Sequence, residues 1–145
     1  MKMSTKGRYG LRLMVALSTR YDTGPVRVDV IGQEQGISLN YIHVLMGGLK
    51  AAGLVRSVRG ASGGYEIARN PAEITAFEVV SALEGQTAPV DCVTEPGACA
   101  RAPGCPTRAV WCRIANCVNE VLMGLTLKEL AEHQTARGST PNYCI

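Results

Sequence analysis

Three cysteines that lie close together carry the clearest chemical signal in this sequence. Cys92, Cys99 and Cys105 are separated by six and by five residues, within a segment rich in proline and glycine. Thiolates are the usual protein ligands of iron–sulfur clusters, and they also bind structural zinc. We expect no signal peptide and a cytoplasmic location, where clustered cysteines indicate metal or redox chemistry more often than disulfides. The spacing favours a cluster, with structural zinc and three unligated thiols as alternatives.

The other three cysteines do not extend this ligand set. Cys112 lies seven residues after Cys105, about 10 Å further along a helix, which is beyond easy reach of the same cluster within one chain. Its expected role is packing, either in the core or at an interface. Cys117 and Cys144 carry no spacing signal. The sequence therefore provides three candidate ligands and leaves the fourth unassigned.

Charge divides the chain into two unlike halves. Residues 1–69 contain ten Lys and Arg against four Asp and Glu, a formal charge of +6, whereas residues 70–145 contain five against eight, a charge of −3. Clustered Lys and Arg neutralise phosphates and release counterions, so the first half is expected to bind a polyanion. The longest apolar run near the N-terminus, Leu13 to Leu17, is far shorter than the roughly 20 residues of a membrane helix. No membrane partner is expected.

Three helices are predicted in the basic half from apolar periodicity and capping signals: about residues 5–21, 30–35 and 39–52. Ser4 offers an N-cap for the first, and Asp29 and Ser38 are the expected N-caps of the second and third. Gly36 and Gly53 are the expected stops of those two helices. Two helices joined by so short a turn are typical of a helix-turn-helix motif.

A β-hairpin with a glycine-rich tip follows, which completes the order of a winged helix-turn-helix. In that geometry the third helix reads bases through its outward residues, predicted to be Ser38, Asn40, Tyr41 and His43. Arg59 and Gly60 at the wing tip are expected to approach the minor groove. Gly63 and Gly64 are interpreted as turn residues with positive φ. The predicted phosphate contacts on the first helix are Lys6, Arg8 and Tyr9.

The acidic half is predicted to form a long helix that needs a partner. A capping box at Thr75 opens a helix that ends at Gly85. Residues 86–106, hereafter the cysteine loop, have no periodicity. An apolar seam with coiled-coil spacing then follows, formed by Trp111, Ile114, Val118, Val121 and Leu125. A second capping box at Thr126 opens a short last helix. The predicted organisation is a DNA-binding domain 1–85, the cluster-binding loop 86–106, a dimerisation segment 107–133 and a polar, poorly ordered tail 134–145.

Several stretches resemble the Rrf-type winged-helix transcriptional regulators, and most closely the group of iron–sulfur cluster regulators and nitric oxide sensors (IscR and NsrR). The resemblance extends from Met1 to about Ala131 and is carried by residues 1–10, residues 35–38 with Tyr41, residues 53–60 and residues 63–65. It implies a mainly α fold with a small β-hairpin wing and a homodimer held by the long C-terminal helix. It also implies a double-stranded DNA operator, no enzymatic activity and a cluster on Cys92, Cys99 and Cys105, with 2Fe–2S favoured over 4Fe–4S.

The resemblance leaves the fourth ligand open. The position of the histidine ligand in one group is occupied here by Arg108, and the acidic ligand that another group takes from the partner's first helix corresponds to Arg8. A guanidinium does not act as a neutral ligand. Asp91, Glu95, His43 or an exogenous ligand remain as candidates.

Three functional hypotheses follow from the sequence. The first is a DNA-binding regulator that reports cluster status, nitric oxide or redox stress. The second is a cluster-free repressor of cysteine or sulfur metabolism that responds to thiols or to a partner protein, and the third is a zinc-stabilised DNA-binding protein. A redox enzyme is disfavoured because no acid–base set and no second cofactor motif accompany the cysteines.

Overall fold

The computed structural model describes residues 3–136, and within them the chain is mainly helical with one antiparallel hairpin. The elements are α1 (Thr5–Ser18), α2 (Val28–Gln35), α3 (Leu39–Ala51), β1 (Val55–Val58), β2 (Gly64–Ile67), α4 (Ala76–Glu84), α5 (Asp91–Thr94), α6 (Pro106–Met123) and α7 (Leu127–Ala136). This order confirms the winged helix-turn-helix with a long C-terminal helix. None of the described helices is both long and apolar enough to span a membrane.

The first helix begins as expected and ends earlier than expected. The Ser4 hydroxyl accepts a hydrogen bond from the Lys6 N–H at 3.0 Å, which makes Ser4 the N-cap of α1. The helix ends at Ser18, three residues before the predicted Tyr21, because the N–H groups of Arg20 and Tyr21 bond three residues back instead of four. A turn therefore follows α1, and the chain continues through Gly24 to α2.

Asp29 does not cap the second helix, which corrects the prediction from the sequence. The N-cap is Arg27, two residues earlier, and α2 begins at Val28. Asp29 lies in the first turn, where its carboxylate pairs with the Arg27 guanidinium and accepts the Val30 N–H. Gly36 ends the helix with a φ of 62°, and Gly53 follows α3 with a φ of 71°, as expected for both.

One hydrophobic core joins the helix-turn-helix to the acidic half. Its fully buried side chains come from α1, α2, α3, the segment before α4, α4 itself and the start of α7; they include Leu13, Ile31, Ile42, Leu45, Leu49, Ile74, Val79 and Leu127. Two helices approach closely at Gly10, where an added Cβ would lie 1.9 Å from Cδ1 of Leu83 on α4. Glycine therefore allows α1 and α4 to pack directly against each other.

Backbone contacts hold the wing against the body of the domain. Strands β1 and β2 pair with Val55 opposite Ile67 and Val58 opposite Gly64, and Val26 forms an isolated bridge with Tyr65. An added Cβ at Gly64 would lie 2.2 Å from the Val26 carbonyl oxygen. Gly63 is similarly confined by the Val58 carbonyl. Both glycines are thus needed for close approach rather than for positive φ, which at the wing tip occurs at Gly60 (φ 118°).

The acidic half contains more local structure than the sequence suggests. The cysteine loop includes α5 and a single 3-10 turn at Pro96–Ala98, because the Asp91 and Glu95 carbonyls accept backbone bonds from Glu95 and Ala98. Both predicted capping boxes are present, at Thr75–Glu78 and Thr126–Glu129. The tail contributes residues 134–136 to α7, and residues 137–145, including Cys144, lie outside the described residues.

Candidate DNA interface and cysteine site

The residues predicted to read bases lie at the start of α3, and all of them except Tyr41 are exposed. Ser38, Asn40 and His43 are exposed, and the Ser38 side chain makes no capping bond that would occupy it. Tyr41 is half-buried and packs edge-to-face on Tyr9, with ring centroids 6.1 Å apart. Its ring therefore fixes α3 against α1, and only the other three predicted positions face solvent.

Two arginines of α1, Arg8 and Arg12, form a cationic cluster around the ring of Tyr9. Lys6 and Arg8 are exposed. The Arg8 and Arg12 guanidinium carbons lie 5.9 Å and 5.3 Å from the centroid of the Tyr9 ring. Tyr9 is half-buried, so its main observed role is to support these cations rather than to project from the surface.

A groove separates α3 from the wing. Its volume is about 460 Å³, and its walls come from the start of α2, from α3 and from the wing tip: Arg27, Val28, Asp29, Leu39, His43, Gly60, Ala61, Gly63 and Gly64. Arg59 is exposed at the wing tip. The Lys50 Nζ donates to the Ser57 hydroxyl at 2.8 Å and so links the end of α3 to β1. Helix α3, the groove and the wing tip thus form one surface.

Sequence reasoning missed two apolar residues on this surface. Val44 is 60% exposed and Leu39 is 47% exposed, on the same side of α3 as Asn40 and His43. Helical spacing could have identified them, because residues three and four apart share a face. Apolar side chains at such positions can contact the methyl group of thymine.

Arg27 was also missed, because an arginine before a short helix carries no motif. Its Nε and Nη2 donate to the two carboxylate oxygens of Asp29 at 3.0 Å and 2.7 Å. This pairing, together with the Val30 N–H, lowers the pKa of Asp29 below its ordinary value. The pair lines the groove between α3 and the wing.

Cys105 is the cysteine with the most distinctive environment. It is the N-cap of α6, and its sulfur lies 3.2 Å from the Thr107 hydroxyl. Hydrogen bonding from this hydroxyl and then from the Arg108 backbone lowers the pKa of the Cys105 thiol. The thiolate, which is the form that binds metals and reacts with electrophiles, therefore forms more readily here than at a cysteine with an ordinary pKa.

Cys92 and Cys99 occupy different parts of the cysteine loop. Cys92 is half-buried on α5, and its carbonyl accepts a 2.8 Å hydrogen bond from Nε of Arg108 on α6. Cys99 is exposed just after the 3-10 turn. Arg108 therefore connects Cys92 to the helix that Cys105 caps, and it occupies the position that the resemblance assigns to a histidine ligand.

The chemistry of the cysteine loop suits a metal cluster, whereas its arrangement in this structure does not enclose one. Among residues 3–136, no group of three or more His, Cys, Asp and Glu side chains is close enough to hold a metal ion. Asp91 and Glu95 are exposed, and His43 lies in the groove beside the wing. The described conformation thus identifies no fourth ligand, and binding by all three cysteines requires the loop to close.

Helix α6 carries an uncovered apolar face. Val110 and Trp111 are exposed, Val121 is 62% exposed, and Val118 is half-buried beside a shallow apolar groove. Ala115 is buried, and α6 packs against α4 and α5. The predicted seam is shorter than expected, because the helix ends at Met123 and the Leu125 carbonyl accepts the Ala76 N–H.

Two further cysteines lie on α6. Cys112 is half-buried, and exposed Cys117 lies beside the apolar face of this helix.

Comparisons with known proteins agree with this architecture. A family model described as "Rrf2: Iron-dependent Transcriptional regulator" matches residues 3–133. The transcriptional regulator CymR of Bacillus subtilis is 39% identical over 133 residues, which cover 92% of this chain and 91% of the relative. The regulator IscR of Enterobacter sp. is 35% identical over 134 residues, covering 92% and 82%.

Two solved structures show the same fold. The structure of CymR, described as the global cysteine regulator of B. subtilis, has a TM-score of 0.78 at 39% identity and covers 92% of this chain and 98% of its own. The structure of T. potens IscR has a TM-score of 0.77 at 34% identity, covering 97% and 94%. The relatives are transcriptional regulators, a function that is not enzymatic. The chain belongs to the Rrf2 family of DNA-binding transcriptional regulators.

Proposed function

We propose that this regulator is a homodimer that binds a double-stranded DNA operator in the cytoplasm and senses cluster status, nitric oxide or redox stress through an iron–sulfur cluster on Cys92, Cys99 and Cys105. Residues 1–85 bind DNA, the cysteine loop holds the cluster, and residues 107–133 form the dimer. A 2Fe–2S cluster is favoured over 4Fe–4S. One observation carries the proposal: the three cysteines share a loop outside the core, and one is a helix N-cap with a lowered thiol pKa.

The exposed surface of the N-terminal half supports operator binding. Asn40 and His43 project from α3, while Arg59 projects from the wing tip on the other side of the groove. Side chains of these types bind base edges in the major groove and narrow minor grooves, respectively. The formal charge of +6 on residues 1–69 adds sequence-independent attraction to phosphates.

The apolar face of α6 supports a dimer. A cluster of exposed apolar side chains on one helix is costly in water and is typical of an interaction surface. Regulators of this family are dimers, and half-sites on a palindromic operator would match a twofold axis. We therefore assign the face formed by Val110, Trp111, Ile114, Val118 and Val121 to contact with a second copy of this chain.

Each cysteine has a defined task in the proposed cluster site. Cys105 supplies a thiolate that is already favoured by Thr107 and the start of α6. Cys92 and Cys99 approach it when the cysteine loop closes. Arg108 cannot complete the coordination, so the fourth ligand is exogenous or comes from Asp91, Glu95 or His43. When bound, a cluster supplies a site that reacts with oxidants and nitric oxide. A cluster whose fourth ligand comes from solution is more labile than one held only by protein ligands.

Cluster analysis of cysteine variants tests the proposal. Protein would be purified without oxygen, and iron, sulfide and the Mössbauer spectrum would be measured. Single Ala substitutions at Cys92, Cys99 or Cys105 should remove most of the iron and sulfide, whereas Cys117→Ala, the matched control, should retain both. Holo and apo protein should differ about 5-fold to 150-fold in operator affinity. Full cluster content in the first three variants would contradict the ligand assignment. Equal operator affinities of holo and apo protein would contradict a regulatory role of the cluster.

A cluster-free regulator is the second candidate, and two observations favour it. Among the described residues, no three potential ligands lie close enough to hold one metal ion. The chain is also 39% identical to CymR, which is described as a global cysteine regulator. In this case Cys105, with its favoured thiolate, would be the reactive group of a thiol- or partner-responsive repressor. Protein isolated anaerobically without iron, sulfide or zinc, and whose DNA affinity changes on alkylation of Cys105, would support this candidate. Stoichiometric zinc would support a structural metal instead.

A further inference from the structure

The groove between α3 and the wing lies where one DNA strand must pass. In a winged helix the recognition helix enters the major groove and the wing tip approaches the neighbouring minor groove. A single sugar–phosphate strand separates these two grooves in a duplex. The 460 Å³ groove, with His43 on one wall and Gly60 on the other, therefore faces that strand.

Arg27 and Asp29 form the charged wall of this groove. Both side chains are substantially exposed, at 62% and 48%, and they make a two-bond ion pair. A guanidinium has five N–H donors in a rigid fork, and the pair with Asp29 uses two of them. The remaining donors are available to a ligand in the groove. An unpaired carboxylate at the same place would repel a phosphate.

We propose that Arg27 binds a backbone phosphate of the strand that passes between α3 and the wing, and that Asp29 orients the Arg27 guanidinium for this contact. Arg27 also shields the phosphate from the charge of Asp29. Because the contact is to the backbone, it positions the protein on DNA without reading sequence. The inference rests on DNA binding by the N-terminal half and adds a residue that the sequence motifs do not identify.

Salt dependence distinguishes this contact from a surface ion pair. Each phosphate neutralised by a cation contributes about 0.9 to the slope of log affinity against log salt concentration. Loss of the Arg27 contact should therefore make the slope less steep by about one. A charged hydrogen bond of this kind also predicts about tenfold weaker binding at low salt when Arg27 becomes Ala.

The experiment compares five variants with the parent protein: Arg27→Ala, Arg27→Lys, Asp29→Asn, the double variant that combines Arg27→Ala with Asp29→Asn, and Arg69→Ala as a matched control. Arg69 is also exposed and ion-paired, to Glu78 on α4, but it does not line the groove. The probe is a fluorescent duplex selected from a random pool by the parent protein, titrated between roughly 50 and 200 mM salt. Arg27→Ala should show the lower affinity and the reduced slope, while Arg69→Ala should retain both parent values.

The double variant tests the position of Asp29. It should bind several-fold more tightly than Arg27→Ala, because the uncovered carboxylate no longer faces the phosphate. Arg27→Lys should retain most of the slope of log affinity against log salt concentration, since lysine keeps the positive charge but lacks the forked guanidinium. Parent-like binding by Arg27→Ala, an equal loss in Arg69→Ala, or no gain in the double variant would each overturn the inference. A parent protein that selects no duplex would instead contradict DNA binding itself.

Discussion

Replacing Gly64 with Ala should detach the wing from the body of the domain. The new Cβ would lie 2.2 Å from the Val26 carbonyl oxygen and 2.5 Å from the Val26 carbonyl carbon. Both are backbone atoms, so no side-chain rotation relieves the overlap. The backbone must move, and the two hydrogen bonds between Val26 and Tyr65, at 2.8 Å and 2.9 Å, must lengthen or break.

The expected loss follows from those two bonds. At about 0.5 to 1.5 kcal/mol net for each, their loss lowers the free energy of unfolding by about 1 to 3 kcal/mol. Urea unfolding at a fixed chain concentration would measure it, and duplex binding should weaken because Arg59 moves with the wing. Gly97→Ala is the matched control, since its Cβ meets no heavy atom within 4 Å and its φ is not positive. A Gly64→Ala protein with the stability and affinity of the parent would refute the proposed wing attachment.

Three further predictions test the remaining surfaces. Arg59→Ala should weaken operator binding by about 1 to 3 kcal/mol, and unchanged affinity at matched salt would exclude a groove contact. Val118→Asp should yield a folded monomer in sedimentation, because a charge would be buried unpaired in the dimer; an intact dimer would contradict the α6 interface. The pH profile of Cys105 alkylation should reflect its lowered thiol pKa, which leaves more thiolate at any given pH. Thr107→Val should move that profile to higher pH, and coincident profiles in parent and variant would exclude the hydroxyl as the cause.

Local hydrogen bonding explains what the sequence predicts well. The capping boxes at Thr75 and Thr126 involve atoms only three residues apart, so their residue types almost determine the geometry. Helix periodicity similarly predicts α3 and its buried face. Candidate base-reading residues follow from the same periodicity, because a helix with one buried side must present the other.

Longer-range contacts explain what the sequence does not reveal. The role of Gly64 depends on the backbone of Val26, which lies 38 residues earlier. Leu125 leaves the predicted seam because its carbonyl bonds the start of α4. In each case the role of the residue depends on a partner that is distant in the sequence, so local patterns do not predict it.

A single carboxylate links the residues just before the cysteine loop to the start of α1. Glu84, the last residue of α4, accepts hydrogen bonds from the Ser4 hydroxyl and the Gly7 N–H at the start of α1, where the predicted phosphate contacts lie. The cysteine loop begins two residues later, and its Thr87 hydroxyl donates to the Asn119 side chain on α6 at 2.7 Å. A change in the loop that shifts residues 85–87 must therefore act on Glu84, on α6, or on both. Because Glu84 bonds the first turn of α1, the proposed sensing site is connected through these contacts to the cationic cluster that we propose contacts DNA.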